Sequence, residues 1–325
     1  MEKRNRNTIL LVSLVLLAIA PFLFNNPYQR FVLNNILVNV ILVIALNFIL
    51  GFAGQVFLGT IGFFAISSYA TALVTTTLGL GFWWGMLASI VTTALLALLL
   101  GLPTLKLSGF YLALMSTGFI VVTTDVLKNW SSVTNGVWGI ASIPRPAILG
   151  KVFSSDIDFY FLSFVITFVL AVIAIIIEDS RFGRAFKAVR DDQLAAETIG
   201  INPLKAKLLA FLLSGIYIGV AGSLYASYQN FVSPDVFNLQ QNTLFMCMLV
   251  IGGLGSVPGA VIGATMLTSL TEVLRFMKEK YLLVYAVVII LTLIYQPGGF
   301  VVFLSQSMNW IKSKLATLTL FRKEA

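Results

Sequence analysis

The chain has 325 residues, of which 58% are hydrophobic and 10% charged, and its formal net charge is +8. Soluble domains carry roughly 25% charged residues; a water-facing fold of this composition has too little polar surface to cover its outside, so lipid is the fitting solvent. Histidine is absent and Cys247 is the single cysteine; that excludes an intrachain disulfide and removes the commonest proton shuttle and metal ligand.

In chain order, the N-terminus MEKRNRN is followed by an apolar run. It imitates a signal peptide, with Ala18-Ile19-Ala20 as a mock cleavage site. Pro21 follows directly and the run is long enough to span, so we expect an uncleaved first helix. A spanning helix needs about 20 apolar residues. About ten runs are candidates, the eighth of them short: 8–24, 32–50, 57–77, 82–101, 108–127, 159–177, 208–227, 240–254, 258–275 and 281–296. The expected fold is one all-α, polytopic membrane domain over 1–325, with eight to ten spans.

The basic residues set an orientation. Lys3, Arg4 and Arg6 precede the first span, and Lys106 lies between the fourth and fifth. Arg181, Arg184, Lys187, Arg190, Lys205 and Lys207 lie between the sixth and seventh, and Lys312, Lys314, Arg322 and Lys323 follow the last. With ten spans all four groups share one side, which the positive-inside bias makes the cytoplasm, so both termini are expected there. This clustering explains the net charge through lipid headgroups, without nucleic acid. Lys278 and Lys280 fall outside, as do Arg145 and Lys151 in the outer loop 128–158, where Asp156 and Asp158 offset the last two.

Two glycine-rich stretches interrupt the apolar pattern. One holds Gly51, Gly54, Gln55 and Gly59; the other holds Gly252, Gly253 and Gly255. Both contain G-x-x-G between apolar runs, a weak sign of an internal repeat. Such glycines permit close helix packing, or break or re-enter a helix where protein or a water-filled cavity satisfies the backbone. Tight packing or plain turns remain the alternative. As broken segments they make these seven residues translocation-pathway candidates, with Asn39 as a helix bridge, Asn47 as a further polar candidate and Gln55 toward a cavity. The pairs Asp125/Lys128 and Glu272/Arg275 lie one turn apart and read as interfacial.

The charged stretch 178–208 faces the same side as the N-terminus. Arg184 to Ile199 contains no Gly or Pro and is expected to be helical, with Gly200 as its stop and Asn202-Pro203 as a turn. Phe186 and Val189 form one small apolar patch; Leu194, Ala195 and Ile199 form another. A short helix of this kind suits docking into a groove on another protein, while a solvated connecting loop is the plainer reading.

The run from Gly183-Arg184-Ala185 to Gly200-Ile201-Asn202 resembles the coupling loop of ABC importer permeases. More narrowly it is similar to the branched-chain amino-acid permease family, its LivM-type branch. Four further blocks match in order: Gly51 to Gly59; Leu107 to Leu114; Ala210 to Ser214 with Gly219 to Tyr225; and Ser233-Pro234-Asp235 with Val250 to Ser256. The resemblance covers nearly all of the chain after the first span. It implies a bacterial inner-membrane permease subunit that pairs with a second permease, an identical or homologous chain. A periplasmic binding protein would deliver solute, and two cytoplasmic ATPase subunits would drive alternating access. It also implies that Arg190, Asp191, Asp192, Ala195, Ala196, Glu197 and Gly200 form the ATPase-coupling element, and that the solute is a hydrophobic, branched-chain amino acid.

No G-x-x-x-x-G-K-[ST] phosphate loop occurs, so ATP would be used by partner chains and this chain is expected to bind no cofactor. Thr60, Thr134-Asn135-Gly136 and Gln193 depart from the family pattern; they leave urea or short-chain amides open as solutes. An ion-coupled carrier or channel usually needs mid-span ionisable groups, and none is evident. An enzyme needs convergent acid, base or metal-binding groups, which this sequence does not offer.

Overall fold

The structure is a computed structural model that describes residues 3–23, 26–104, 109–148, 151–274, scattered positions between 284 and 294, and 298–307. Helix α1 spans Lys3–Leu23 and α2 spans Pro27–Leu46, which runs on into a π-helical turn, Asn47–Phe52. An extended stretch leads to α3 (Thr60–Thr76), then α4 (Phe82–Thr104) and α5 (Phe110–Asn129). A loop region carries the single turn α6 (Ser131–Thr134) and the two-residue strands β1 (Ile140–Ala141), β2 (Ala147–Ile148) and β3 (Lys151–Val152). The chain continues through α7 (Asp156–Asp179), α8 (Arg181–Asp191), α9 (Gln193–Thr198) and α10 (Pro203–Gln229). Strand β4 (Phe231–Val232), α11 (Leu239–Gly252) and α12 (Val257–Val273) follow.

Six of these helices are long and apolar enough to cross a membrane, while α3, α11 and α12 are shorter apolar helices of 14 to 17 residues. The expected span at 281–296 lies mostly outside the described residues, as do Lys106, Arg275 and the basic C-terminal residues. The helix starts follow local chemistry. Asn26 accepts from the Tyr28 N–H ahead of Pro27, and Asn238 accepts from the Gln241 N–H at 3.0 Å. Each satisfies a backbone donor that the first turn cannot. Asn202-Pro203, expected as a turn, is instead the start of α10: Asn202 caps the Lys205 N–H and Pro203 occupies the first turn.

Burial separates centre from periphery. In the most apolar 18-residue stretch of α2 with its π turn 83% of the residues are buried and in that of α10 67%, against 28% in those of α4, α5 and α7. The outer faces of those three present Leu95, Leu99, Val122 and Ile176, each more than 60% exposed, which suits lipid and not water. Helix α10 packs on α4 through Gly215 and Gly219, where an added Cβ would lie 2.8 Å from the Ala97 Cβ and 2.7 Å from the Ile90 Cα. Hydroxyls cross the same seam: Thr93 donates to the Gly215 carbonyl at 2.8 Å and Ser89 to that of Gly219 at 2.9 Å. Small residues and interhelical hydroxyls are what drives helix association where lipid removes the hydrophobic gain.

The loops sort to two ends. At one, β1 pairs antiparallel with β4, Trp83 donates to the Ala147 carbonyl, and Lys128 bridges Asp235 at 2.8 Å. Lys128 thus pairs across to the 230–238 loop and not along its own helix to Asp125, because Asp235 is carried to it by the β4 segment. Arg145 offsets Asp156 at 2.9 Å, as the loop composition suggested. At the other end, Arg6 of α1 meets Glu178 and Asp179 at the end of α7, with Lys187 adding a second cation to Glu178 at 3.4 Å.

Candidate functional site: a glycine junction held by Arg190

The stretch expected as one helix from 184 to 199 is two, broken at Asp192. Its backbone is extended there (φ −156°, ψ 115°), and its carboxylate accepts from the Ala195 N–H at 3.0 Å, capping α9. Asp192 therefore ends one helix and begins the next. Ser180 starts α8 in the same way, accepting from the N–H groups of Phe182 and Gly183. Helix α8 is strongly amphipathic and buries Gly183, Phe186 and Val189. Gly183 is required by closeness: a Cβ there would sit 2.6 Å from the Ile177 carbonyl oxygen.

This packing aims the last turn of α8 at the two glycine stretches. Arg190 Nη1 donates to the Gly51 carbonyl at 2.9 Å, while Nε and Nη2 donate to Asp191 Oδ1 at 3.1 and 3.0 Å. The stem of Arg190 lies on Gly54, which has φ +66°, and a Cβ there would collide with the arginine side chain. Gly255, with φ +74°, leaves room for the guanidinium; a Cβ there would stand 3.1 Å from Nη1 and 3.2 Å from the Gly51 oxygen. Lys187 adds a cation over the Phe52 ring at 5.6 Å.

Asn47 ties the two stretches together. Its Oδ1 accepts from the Gly255 N–H at 2.9 Å, and its side chain is fully buried. The π turn begins at Asn47; such insertions recur at functional sites. Gly51, Gly54, Gly255 and Arg190, which the sequence distributes over two proposed roles, thus meet in one junction.

The remaining candidates are placed differently. Gly252 packs on Gly259 and Gly263 in the α11–α12 hairpin, and Gly253 lies against Gly299; these two serve close helix packing. Gly59 precedes α3 against the Phe57 ring. Gln55 turns its amide to the Ala53 carbonyl in its own loop. Asn39 bridges α2 to α12, donating to Thr268 at 2.9 Å, as expected. Asp191, Asp192, Ala195 and Glu197 are exposed, and Gly200 (φ +83°) ends α9 in open space. Ala196 departs from its expected docking role: it is 2% exposed and faces inward. The exposed apolar groups are its neighbours Leu194 and Ile199, at 75% and 72%. Lys207 reaches back from α10 to Gln193 at 2.9 Å, holding α9 in place. Sequence reasoning missed the Arg6–Glu178–Asp179 cluster and the bridge from Asn47 to Gly255; the only signal for the second was an amide in an apolar run.

A family model for the branched-chain amino acid transport system permease component matches residues 30–294. The chain is 30% identical over 318 residues to the high-affinity branched-chain amino acid transport system permease protein LivM of Salmonella typhimurium, covering 90% of this chain and 75% of the relative. The LivM protein of Escherichia coli matches to the same extent. The autoinducer 2 import system permease protein LsrC of Yersinia pseudotuberculosis is 26% identical over 219 residues, 64% of this chain and 61% of the relative. By the span of the family match and the identity to LivM, this chain belongs to the branched-chain amino acid transport system permease family.

Proposed function

We propose that the chain is the permease subunit of an ABC importer for branched-chain or other hydrophobic amino acids, moving its solute by alternating access. In this reading α8 and α9 lie on the cytoplasmic face with both termini. ATPase subunits dock on the exposed surface formed by Asp191, Asp192, Leu194, Ala195, Glu197 and Ile199, with Gly200 setting its end. A second permease subunit completes the core, and a periplasmic binding protein delivers the solute. The observation that carries the proposal is the reach of Arg190 from the docking helix to Gly51. A motor can bias a permease only through contacts that differ between its states. Arg190 provides one such contact at the point where both glycine stretches converge, so they form the inner hinge of the pathway.

The test is purification of the tagged chain in mild detergent, with and without Leu194→Asp and Ile199→Asp together. Loss of the ATPase subunits and of leucine uptake, with the chain still folded, is the expected outcome; undiminished ATPase recovery from the double variant overturns the docking surface. The LsrC relatives favour one second reading, an autoinducer-type solute. Uptake of that compound but not leucine by the assembled importer would select it.

A further inference from the structure

A groove of about 520 Å³ runs between α1, α2 and α12, with Leu304 completing its lining. On α1 it extends from Ile9 to Ala20, roughly 16 Å at 1.5 Å per residue. That is close to the depth of one leaflet's hydrocarbon, half of a core of about 30 Å. Leu17, Leu33 and Ile36 form its buried floor. Leu16, 65% exposed, and Met266 also line it, so it opens onto the outer surface of the bundle. Two of its hydroxyls are already used within their own helices: Ser13 donates to the Leu10 carbonyl at 2.8 Å and Thr265 to that of Val261 at 2.7 Å. The described lining adds Ser269 as its one further polar side chain and holds no ionisable group. A polar solute or a water cluster therefore finds few partners there.

We infer that the groove is a lipid-binding site that takes one acyl chain of an anionic phospholipid, with the headgroup at the N-terminal end of α1. Size decides between the apolar occupants. A helix 10–12 Å across fills roughly 1,250 Å³ or more over the same length, so a helix of a second subunit does not fit inside the groove, whereas a single hydrocarbon chain does. Lipid tails are as apolar as the lining, so the gain comes from close packing against a fixed wall and not from leaving water. Charge selects the headgroup. The first six residues carry Lys3, Arg4 and Arg6 against Glu2. Lys3 and Arg4 stand six and five residues before Ile9 on the same helix, roughly 8–9 Å beyond the end of the groove. That places them at the headgroup layer, where basic residues attract anionic lipid. Arg6 is committed to Glu178 and Asp179. The position of the groove gives the lipid a consequence, whichever solute the permease carries. Helix α2 runs on to Asn47 and α12 begins beside Gly255, the two residues joined at 2.9 Å. An acyl chain in the groove thus lies against both arms of that junction.

The experiment is photolabelling of the purified chain, with the subunits that accompany it, in lipid nanodiscs. One probe is phosphatidylglycerol with a diazirine in the middle of an acyl chain; the other is phosphatidylcholine with the same chain. Mass spectrometry locates the labelled residues. The phosphatidylglycerol probe is expected to label Val12, Leu16 and Met266 more than the exposed faces of α4, α5 and α7, and more than the phosphatidylcholine probe does. Lys3→Gln and Arg4→Gln, made singly, should each lower that preference by about five-fold, the effect of one basic residue near an anionic headgroup. Ser13→Phe and Ile262→Trp each put a ring into the groove and should abolish its labelling while that of α4, α5 and α7 persists. Uniform labelling of all exposed helices, or equal labelling of the groove by the two probes, overturns the inference, and both are read on the unmodified chain. A cross-link from Leu16→Cys to a second permease chain, in a Cys247→Ser background, also overturns it and makes the groove a protein interface.

Discussion

Asn47 accepts a 2.9 Å hydrogen bond from the backbone N–H of Gly255, a residue 208 positions further along the chain. It is the direct tie between the first glycine stretch and the second. The side chain is fully buried, so replacing it removes an acceptor that water does not readily supply. Asn47→Leu is expected to destabilise the fold by about 1–3 kcal/mol, the cost of leaving a donor without its partner. Asn47→Asp keeps an acceptor but places a charge at the same depth, and should be worse. Thermal unfolding in detergent orders the three proteins; an unchanged midpoint for Asn47→Leu would remove the tie from any structural role.

Arg190 offers a different kind of failure. Its guanidinium divides between Gly51 and Asp191, and a lysine has neither the fork nor the fixed plane to do both. Arg190→Lys should retain part of the uptake, and Arg190→Ala should reduce it by at least about ten-fold, the effect of losing a charge-assisted hydrogen bond of roughly 1.5–3 kcal/mol. ATPase subunits should still co-purify, since the exposed surface is intact. Uptake and hydrolysis measured together separate loss of transmission from loss of docking. Wild-type uptake by Arg190→Ala would reject the junction as a transmitter.

The Arg6 cluster binds the first helix to the seventh. Arg6 and Glu178 have side chains only 9% and 5% exposed and lie 3.2 Å apart. Removing one partner of a buried pair costs up to about 3–5 kcal/mol when the other is stranded; Lys187, 3.4 Å from Glu178, offsets part of that here. Arg6→Leu should therefore lower the unfolding midpoint strongly, and Glu178→Gln in the same chain should recover part of it. A double-mutant cycle measures the coupling; strict additivity would mean that Asp179 alone holds Arg6.

What could be read from the sequence was whatever lipid physics and local capping dictate. The first nine expected spans coincide with described helices, six of them long and apolar enough to cross a membrane, because each is an apolar run with polar ends. Gly200 was legible as a stop because a left-handed position favours glycine. The break at Asp192 was not: good helix formers flank it on both sides with no Gly or Pro, and the deciding interaction is one carboxylate that caps better than it propagates. The convergence of Arg190 with Gly51 and Gly255 was hidden for another reason. It depends on how far α8 folds back beneath α7, which is set by the close approach at Gly183 and by no periodicity. Ala196 shows the same limit on a smaller scale, since composition gives a helix its apolar residues but not which of them face inward.

Orientation can be settled by labelling. Cys247, the single cysteine, lies half-buried in α11, so a Cys247→Ser background is a mild change. Val137, 57% exposed, sits in the loop region with the β strands, and Ala195 is exposed on α9. These positions belong to opposite ends of the bundle, because the intervening α7 crosses from one to the other. The basic residues of 178–208 draw that end to the cytoplasm. Val137→Cys should then react with a membrane-impermeant maleimide in intact spheroplasts, and Ala195→Cys only after permeabilisation. The reverse pattern would put α8 and α9 outside, where no ATPase subunit could reach them, and the coupling proposal would fail with the orientation.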